Sequence, residues 1–568
     1  MGTVASTLFG HHGCVHPSDV VEIKTGRIQG KTFDFPGLPN VDCFLGIPFG
    51  KPPVGELRFK KPVPADDWEG VLDCSKFGPR CYHKDEIFEL FPLTNLPTKS
   101  EDCLRLNVFV PSGDGYVNED KEAGGRPVLV FIHGGGFCVH SSAHYGDVGM
   151  CSTICKKGVI VVTIQYRLGF FGFLSTNDAE APGNFGLFDQ ALALKWVHDN
   201  IASFGGNPNN VTVCGQSAGG ASADLLSLSP ISRDYFQKVI PMGGNATCVF
   251  AINDGEELRE ACLQFAKEKG LVLDPNSTKT EQNKALLEFM RALPAHQLQI
   301  GLFGMRGHRI NKGKLDLVPI IDGDFLPKPI EELRKEAPKK KCMVGATTHE
   351  GLLFAALTFV KPSVSVVDRT IRRAFHLSRN DSGPEIEGVI NKVRSVYLTE
   401  DDRNDPKKLT KATIRVLGES LISYGQPLYA QAMASNGHEV YFYSFDYDRS
   451  GRFGLIARLI PFIGATHGTE LPYLLGKGVV ANFHPDDEDR AMIDVFTTLF
   501  ANFCRYGDPN GKSEVRNWET HSLEQPYRYY SIDHPKCEMK EEFENRTAEI
   551  WKEAFETMKS IKAQKSRI

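Results

Sequence analysis

Residues 211–228 read, in order, as strand, turn and helix. Val211-Thr212-Val213 is an apolar β-branched run, Gly215-Gln216-Ser217-Ala218-Gly219 has the form Gly-x-Ser-x-Gly, and a helix-like segment runs from Ala218 to Leu228. That order constrains the chain more than the five letters do. The flanking glycines let a strand and a helix pack closely around a tight turn and lift the serine oxygen clear of the backbone. Without strand and helix on either side, the same residues would be a glycine-rich turn carrying a passenger serine.

A second glycine cluster lies upstream. Val128-Leu129-Val130-Phe131-Ile132 reads as a buried parallel strand, and it runs into His133-Gly134-Gly135-Gly136-Phe137. Consecutive glycines at a strand end leave backbone N–H groups unshielded. A carbonyl under attack by a serine becomes an oxyanion and needs such donors already aimed at it. The two clusters, each after a strand and in this order, point to acyl chemistry.

A serine hydroxyl is a poor nucleophile near neutral pH and needs a base, which in turn needs an orienting acid. Downstream, Cys342-Met343-Val344-Gly345-Ala346 reads as a strand leading into Thr347-Thr348-His349-Glu350-Gly351. Glu350 therefore stands at a strand's C-terminal end, where open α/β sheets keep their sites. Further on, Gly464-Ala465-Thr466-His467-Gly468-Thr469-Glu470 holds a histidine in a glycine-flanked loop. The order Ser, acid, His is that of α/β-hydrolases. His349 is an alternative base, although its neighbour Glu350 takes the acid's place in that order.

At this point the chain resembles the type-B carboxylesterase/cholinesterase family, over about residues 20–560. Matching segments include Phe44-Leu45-Gly46-Ile47-Pro48-Phe49, Pro52-Pro53-Val54-Gly55, Ser100-Glu101-Asp102-Cys103-Leu104, Tyr166-Arg167-Leu168-Gly169 and Phe204-Gly205-Gly206-Asn207-Pro208. Within it the chain looks like an invertebrate, nematode-type carboxylesterase. The resemblance implies an α/β-hydrolase fold, with Ser217 as nucleophile, Glu350 as acid and His467 as base. It implies oxyanion donors at Gly135, Gly136 and Ala218, and disulfides pairing Cys81 with Cys103 and Cys248 with Cys262. No metal or organic cofactor is implied. Two departures bear on the substrate. Many family members carry Glu before the nucleophile, where this chain has Gln216. Choline-binding members hold a tryptophan between their first two paired cysteines, whereas Trp68, Trp196, Trp518 and Trp551 all fall outside 81–103. Quaternary ammonium recognition relies on aromatic faces, so an uncharged ester is expected.

The rest of the chain fits one large domain of residues 20–563, after a flexible segment 1–19 and before a tail 564–568. Alternating strand and helix patterns over 128–245 imply right-handed crossovers and a mostly parallel central sheet flanked by helices. Strand-like runs over 20–110 suggest an antiparallel edge. Helical patterns at 365–377, 384–397 and 408–433 form an insertion between acid and base that can fold over the site. Leu302, Phe303, Leu352, Leu353 and Phe354 are candidates for a pocket wall, or plain core. The net charge of −5 and the small basic runs give no reason to expect nucleic acid.

No run approaches 18 consecutive apolar residues, so no transmembrane helix is expected. The N-terminus lacks a secretory signal pattern. Met1-Gly2-Thr3-Val4-Ala5-Ser6 instead fits the N-myristoylation form. One acyl chain attaches only weakly and reversibly. The expected location is cytoplasmic, with attachment to a membrane's cytoplasmic face through Gly2, and the family disulfides sit uneasily there. Sequons such as Asn245-Ala246-Thr247 matter only on the secretory route. Three motifs are incidental: His140/His144 lack the glutamate of a zinc protease, Cys151/Cys155 lack a second pair, and a calcium-loop-like start at Asp446 has Ala457 at position twelve. The partner is thus a small-molecule ester, which the acyl-enzyme hydrolyses or passes to another acceptor; a non-catalytic binding protein is the remaining reading. Labelled myristate should incorporate at Gly2 in cells; no incorporation would refute the membrane attachment.

Overall fold

The computed structural model describes residues 14–565, apart from 36–38, 86–95, 113–119, 121–122, 303–314, 359–360, 376, 378–380, 450–459, 479–482 and 516. Gly2, Phe303 and Ala457 lie outside the described residues. Thirteen strands among those described form one sheet: β1 (Cys14–Ile23), β2 (Gly26–Asp34), β3 (Asn40–Pro48), β4 (Val71–Asp73), β5 (Arg105–Ser112), β6 (Arg126–Ile132), β7 (Ile160–Ile164), β8 (Gly206–Gln216), β9 (Lys238–Met242), β10 (Lys341–Thr347), β11 (Glu439–Phe445), β12 (Tyr529–Ile532) and β13 (Glu538–Lys540). The spatial order is β1-β2-β3-β5-β7-β6-β8-β9-β10-β11-β12-β13, with β4 beside β2. From β7 through β12 every neighbouring pair is parallel; β1, β2, β3 and β5 form the antiparallel edge. This is the α/β-hydrolase architecture expected from the sequence.

Both faces of the sheet are covered. Along β6, Val128, Val130 and Ile132 enter one core with Val211, Val213 and Leu225. Their neighbours Leu129 and Phe131 enter a second core with Met492, Phe496 and Phe500 of the helix Asp487–Tyr506. Side chains alternate across a strand, so an unbroken apolar run can serve two cores at once. Each fully buried side chain of this kind contributes about 1.5–3 kcal/mol. No helix among the described residues is long and apolar enough to cross a membrane.

Buried polar contacts fix the elements around the end of β8. Asp224, on the helix Ala218–Leu228, accepts two hydrogen bonds from the Arg334 guanidinium at 3.0 and 2.9 Å and one from the Ala246 N–H at 2.9 Å. This ties that helix to the loop after β9. Both side chains are almost fully buried. Removing one partner would strand a buried charge at a cost of about 3–5 kcal/mol.

Several expectations need correction. Residues 14–19 belong to β1 and not to a flexible leader. The helix over 408–433 is broken into Pro406–Gly418 and Gly425–Ser435 by a π-helical stretch, Glu419–Ser423. The C-terminal helix spans Thr547–Lys565, reaching into the segment read as a tail. It starts only at Thr547 because Glu542, Glu544, Asn545 and Arg546 all take positive φ, which no helix continues through. Cys81 and Cys103 form a disulfide, whereas Cys248 and Cys262 are free and buried. Their thiols serve different surroundings. Cys248 Sγ faces the Ile422 carbonyl at 3.6 Å, and Cys262 lies in the helix Gly255–Glu268. Asn245, in the quoted sequon, is fully buried.

Candidate active site

The end of β8 is the most constrained backbone in this part of the sheet. Ser217 follows its last residue with φ +61° and ψ −124°, a conformation costing about 1–3 kcal/mol for a residue with a side chain. Hydrogen bonds hold it there: the Ser217 N–H donates to the Met242 carbonyl at 2.8 Å, and the Ala221 N–H donates to the Ser217 carbonyl at 3.0 Å. A Cβ at Gly215 would overlap the Gly219 carbonyl, and one at Gly219 would overlap the Ile132 carbonyl. Only glycine fits at both places. Ser217 itself is half-buried, so its side chain keeps access to solvent.

β6 is the hydrogen-bonded neighbour of β8, so its glycine loop emerges beside the serine. A Cβ at Gly134 would lie 2.9 Å from Ser217 Cβ. Gly135 and Gly136 have φ of +107° and +60°. The Gly135 carbonyl accepts from the N–H groups of Cys138 and Val139, each at 3.0 Å, which curls the loop tightly. Among the described residues, none accepts a hydrogen bond from the N–H of Gly135, Gly136 or Ala218. Gly135 and Gly136 thus follow the residue that lies against Ser217, and Ala218 follows the serine itself, with their N–H groups not used internally. His133 stacks on Tyr166 with centroids 4.5 Å apart, and burial pushes its pKa down to about 4, so it supports the loop as a neutral ring.

Glu350 and His467 come together from different loops. Glu350 is buried; its Oε1 accepts from the Thr347 N–H at 2.8 Å, and its Oε2 lies 2.5 Å from His467 Nδ1. The two loops are tied by the His349 N–H donating to the Ala465 carbonyl at 2.8 Å and by the Leu353 N–H donating to Thr466 Oγ1 at 3.0 Å. His349 packs on Phe462 and against Gly464 and has no described contact with Ser217. Phe354 packs on the His467 ring, with centroids 4.9 Å apart. No hydrogen bond joins Ser217 to His467. The Gln216 carboxamide nitrogen instead lies 3.3 Å from His467 Nε2 and 3.4 Å from Nδ1. Contacts of this kind commonly tighten only when substrate binds.

Of the wall candidates, Leu302 sits over the glycine loop, where a Cβ at Gly136 would come within 2.7 Å of it. Leu352 is plain core, packed with Ala356 and Ile414. His140 and His144 stack ring on ring at 4.0 Å, and the Cys151 thiol lies 3.4 Å from that of Cys43. Among the described residues, no group of three or more His, Cys, Asp or Glu side chains could hold a metal ion.

A model of the carboxylesterase family matches residues 17–551. The chain belongs to that family. It is 43% identical to the Caenorhabditis elegans protein named esterase cest-33 over 92% of each chain. It is 30% identical to carboxylesterase 1C of Mus musculus, over 89% of this chain and 88% of that one. Acetylcholinesterase of Bungarus fasciatus is 32% identical over 89% and 81% of the two chains. This family member is a carboxylic ester hydrolase, and its substrates are small-molecule esters.

Sequence reasoning gave no role to Glu470, three residues beyond His467. Its carboxyl is buried, and its Oε2 has no hydrogen-bond partner. Burial and the nearby Glu350 push its pKa up to about 8. The only sequence signal was its nearness to His467. Below the ordinary carboxylate range Glu470 is protonated in folded and unfolded chains alike. Between that range and about pH 8 only the unfolded chain releases the proton, so this residue subtracts stability as pH rises. Glu470→Gln should therefore stabilise the protein increasingly between about pH 5 and pH 8. Urea denaturation across that range checks this, and a difference independent of pH would contradict it.

Proposed function

We propose that the chain hydrolyses uncharged carboxylic esters through an acyl-serine intermediate on Ser217. The observation that carries this reading is the Glu350–His467 contact of 2.5 Å, set beside a strained serine turn and three uncommitted N–H donors. In the proposed first step, His467 takes the Ser217 proton as Oγ attacks the ester carbonyl. Glu350 holds the ring through Nδ1 and stabilises the imidazolium that forms. The oxyanion is received by the N–H groups of Gly135, Gly136 and Ala218. His467 then protonates the leaving alcohol, and a water activated by the same ring releases the acid.

Preference for uncharged esters follows from the neutral carboxamide of Gln216 beside the serine and from the absence of tryptophan between Cys81 and Cys103. The sequence motif at Gly2 supports a cytoplasmic, reversibly membrane-attached protein; the bonded Cys81–Cys103 pair favours an oxidising compartment instead. Kinetics test the catalytic assignment. Ser217→Ala should lower kcat by about 10⁴–10⁶-fold and Glu350→Gln by about 10⁴-fold on a neutral short-chain ester. The parent protein should turn over that ester faster than acetylthiocholine. Full activity in Ser217→Ala, or the reverse substrate order, would overturn the reading.

A further inference from the structure

Gln216 lies between the proposed nucleophile and base, and the mechanism above gives it no task. Its side chain is almost fully buried, so its amide is committed to a fixed place. Glycines make the room: a Cβ at Gly134 would lie 3.1 Å from Gln216 Oε1, and one at Gly243 would lie 3.4 Å from Nε2. The Gly243 position is also 3.3 Å from Glu350 Oε1 and 3.5 Å from His467 Nδ1. Gln216, Glu350 and His467 thus meet around one residue that has no side chain.

The geometry of the contact is informative. Distances of 3.3 and 3.4 Å to the two ring nitrogens are nearly equal. A donor in line with one nitrogen's lone pair would be much nearer to that nitrogen than to the other. The amide therefore rests across the ring, and Phe354 packs on the same ring. Glu350 fixes one atom of the imidazole, which leaves rotation about that contact free. The amide and the phenyl ring remove that freedom.

We propose that Gln216 is a positioning residue: its carboxamide sets the rotation of the His467 ring beside Ser217 while adding no charge there. This deepens the triad reading and rests on it. A carboxylate at 216 would occupy the same space, but it would attract the imidazolium and compete with Ser217 for the ring. Among the described residues, the acidic groups that bear on the ring are Glu350, bonded to Nδ1, and Glu470, which interacts electrostatically with Glu350. With Gln at 216, the side chain beside the imidazole adds no charge to that of Glu350, and the reacting centre stays open to esters without a positive group.

Three variants test this: Gln216→Glu, Gln216→Met, which keeps the length without the amide, and Gln216→Asn, which keeps the amide on a shorter stem. In Gln216→Glu the acid limb of kcat/KM should move to a pH about one unit higher, because a negative charge at this distance favours the imidazolium. Activity on a cationic ester should rise relative to a neutral one. In Gln216→Met, kcat on a neutral ester should fall about 10- to 100-fold with KM little changed, as expected for a misplaced base. Gln216→Asn should recover part of that loss. An acid limb in Gln216→Glu that superimposes on the parent's, or a parental kcat in Gln216→Met, would overturn the proposal. An NMR titration of the His467 ring, assigned through His467→Gln, reads the same contact without catalysis. If the parent protein hydrolyses no ester, the triad reading fails. The NMR midpoint still decides on Gln216: it should be higher in Gln216→Glu, and an unchanged midpoint would refute the contact.

Discussion

Everything at this site depends on the close approach of three pieces of backbone at the end of β8. Gly219 lies so near the Ile132 carbonyl, and Gly215 so near Gly219, that a methyl group at either would force β6, β8 and the following helix apart. With that packing in place, Ser217 is driven to positive φ, and the loop after β6 is delivered to its side. The strain at Ser217 persists because the surrounding parallel sheet, buried on both faces, is far more costly to rearrange than one turn is to strain. Site and fold therefore share a single cause.

Charge is distributed with equal economy. Glu350 is buried, yet it receives a backbone N–H and the His467 ring, so its oxygens are occupied. Glu470 keeps one oxygen, Oε2, without a hydrogen-bond partner, and burial with the nearby Glu350 pushes its pKa up to about 8. The neutral Gln216 carboxamide adds no further charge beside the ring.

Much of this was legible in the sequence, for reasons that can be named. The strands read at 128–132, 159–164 and 238–242 were legible because parallel strands buried on both faces need continuous apolar runs. The helix Ala218–Leu228 was readable because a turn motif announces its start. The candidate trio followed from chain order. What stayed hidden depends on three-dimensional neighbours. β12 and β13 are four and three residues long, too short to show a period. The π-helical break after Gly418 and the helix start at Thr547 come from backbone geometry that composition does not encode. Cys248 and Cys262 kept their family positions without the pairing. The contacts of Gln216 and Glu470 with His467 and Glu350 join residues up to 251 positions apart.

The central claim is that Ser217 is an activated nucleophile within an assembled site. Labelling the native protein with a fluorophosphonate probe, followed by peptide mass mapping, tests it most directly. The account predicts one modified residue, Ser217, with the modification lost on prior denaturation and strongly slowed in His467→Gln. A well-folded sample that takes no label, or that takes it elsewhere, would contradict the account and leave a binding protein built on the same scaffold.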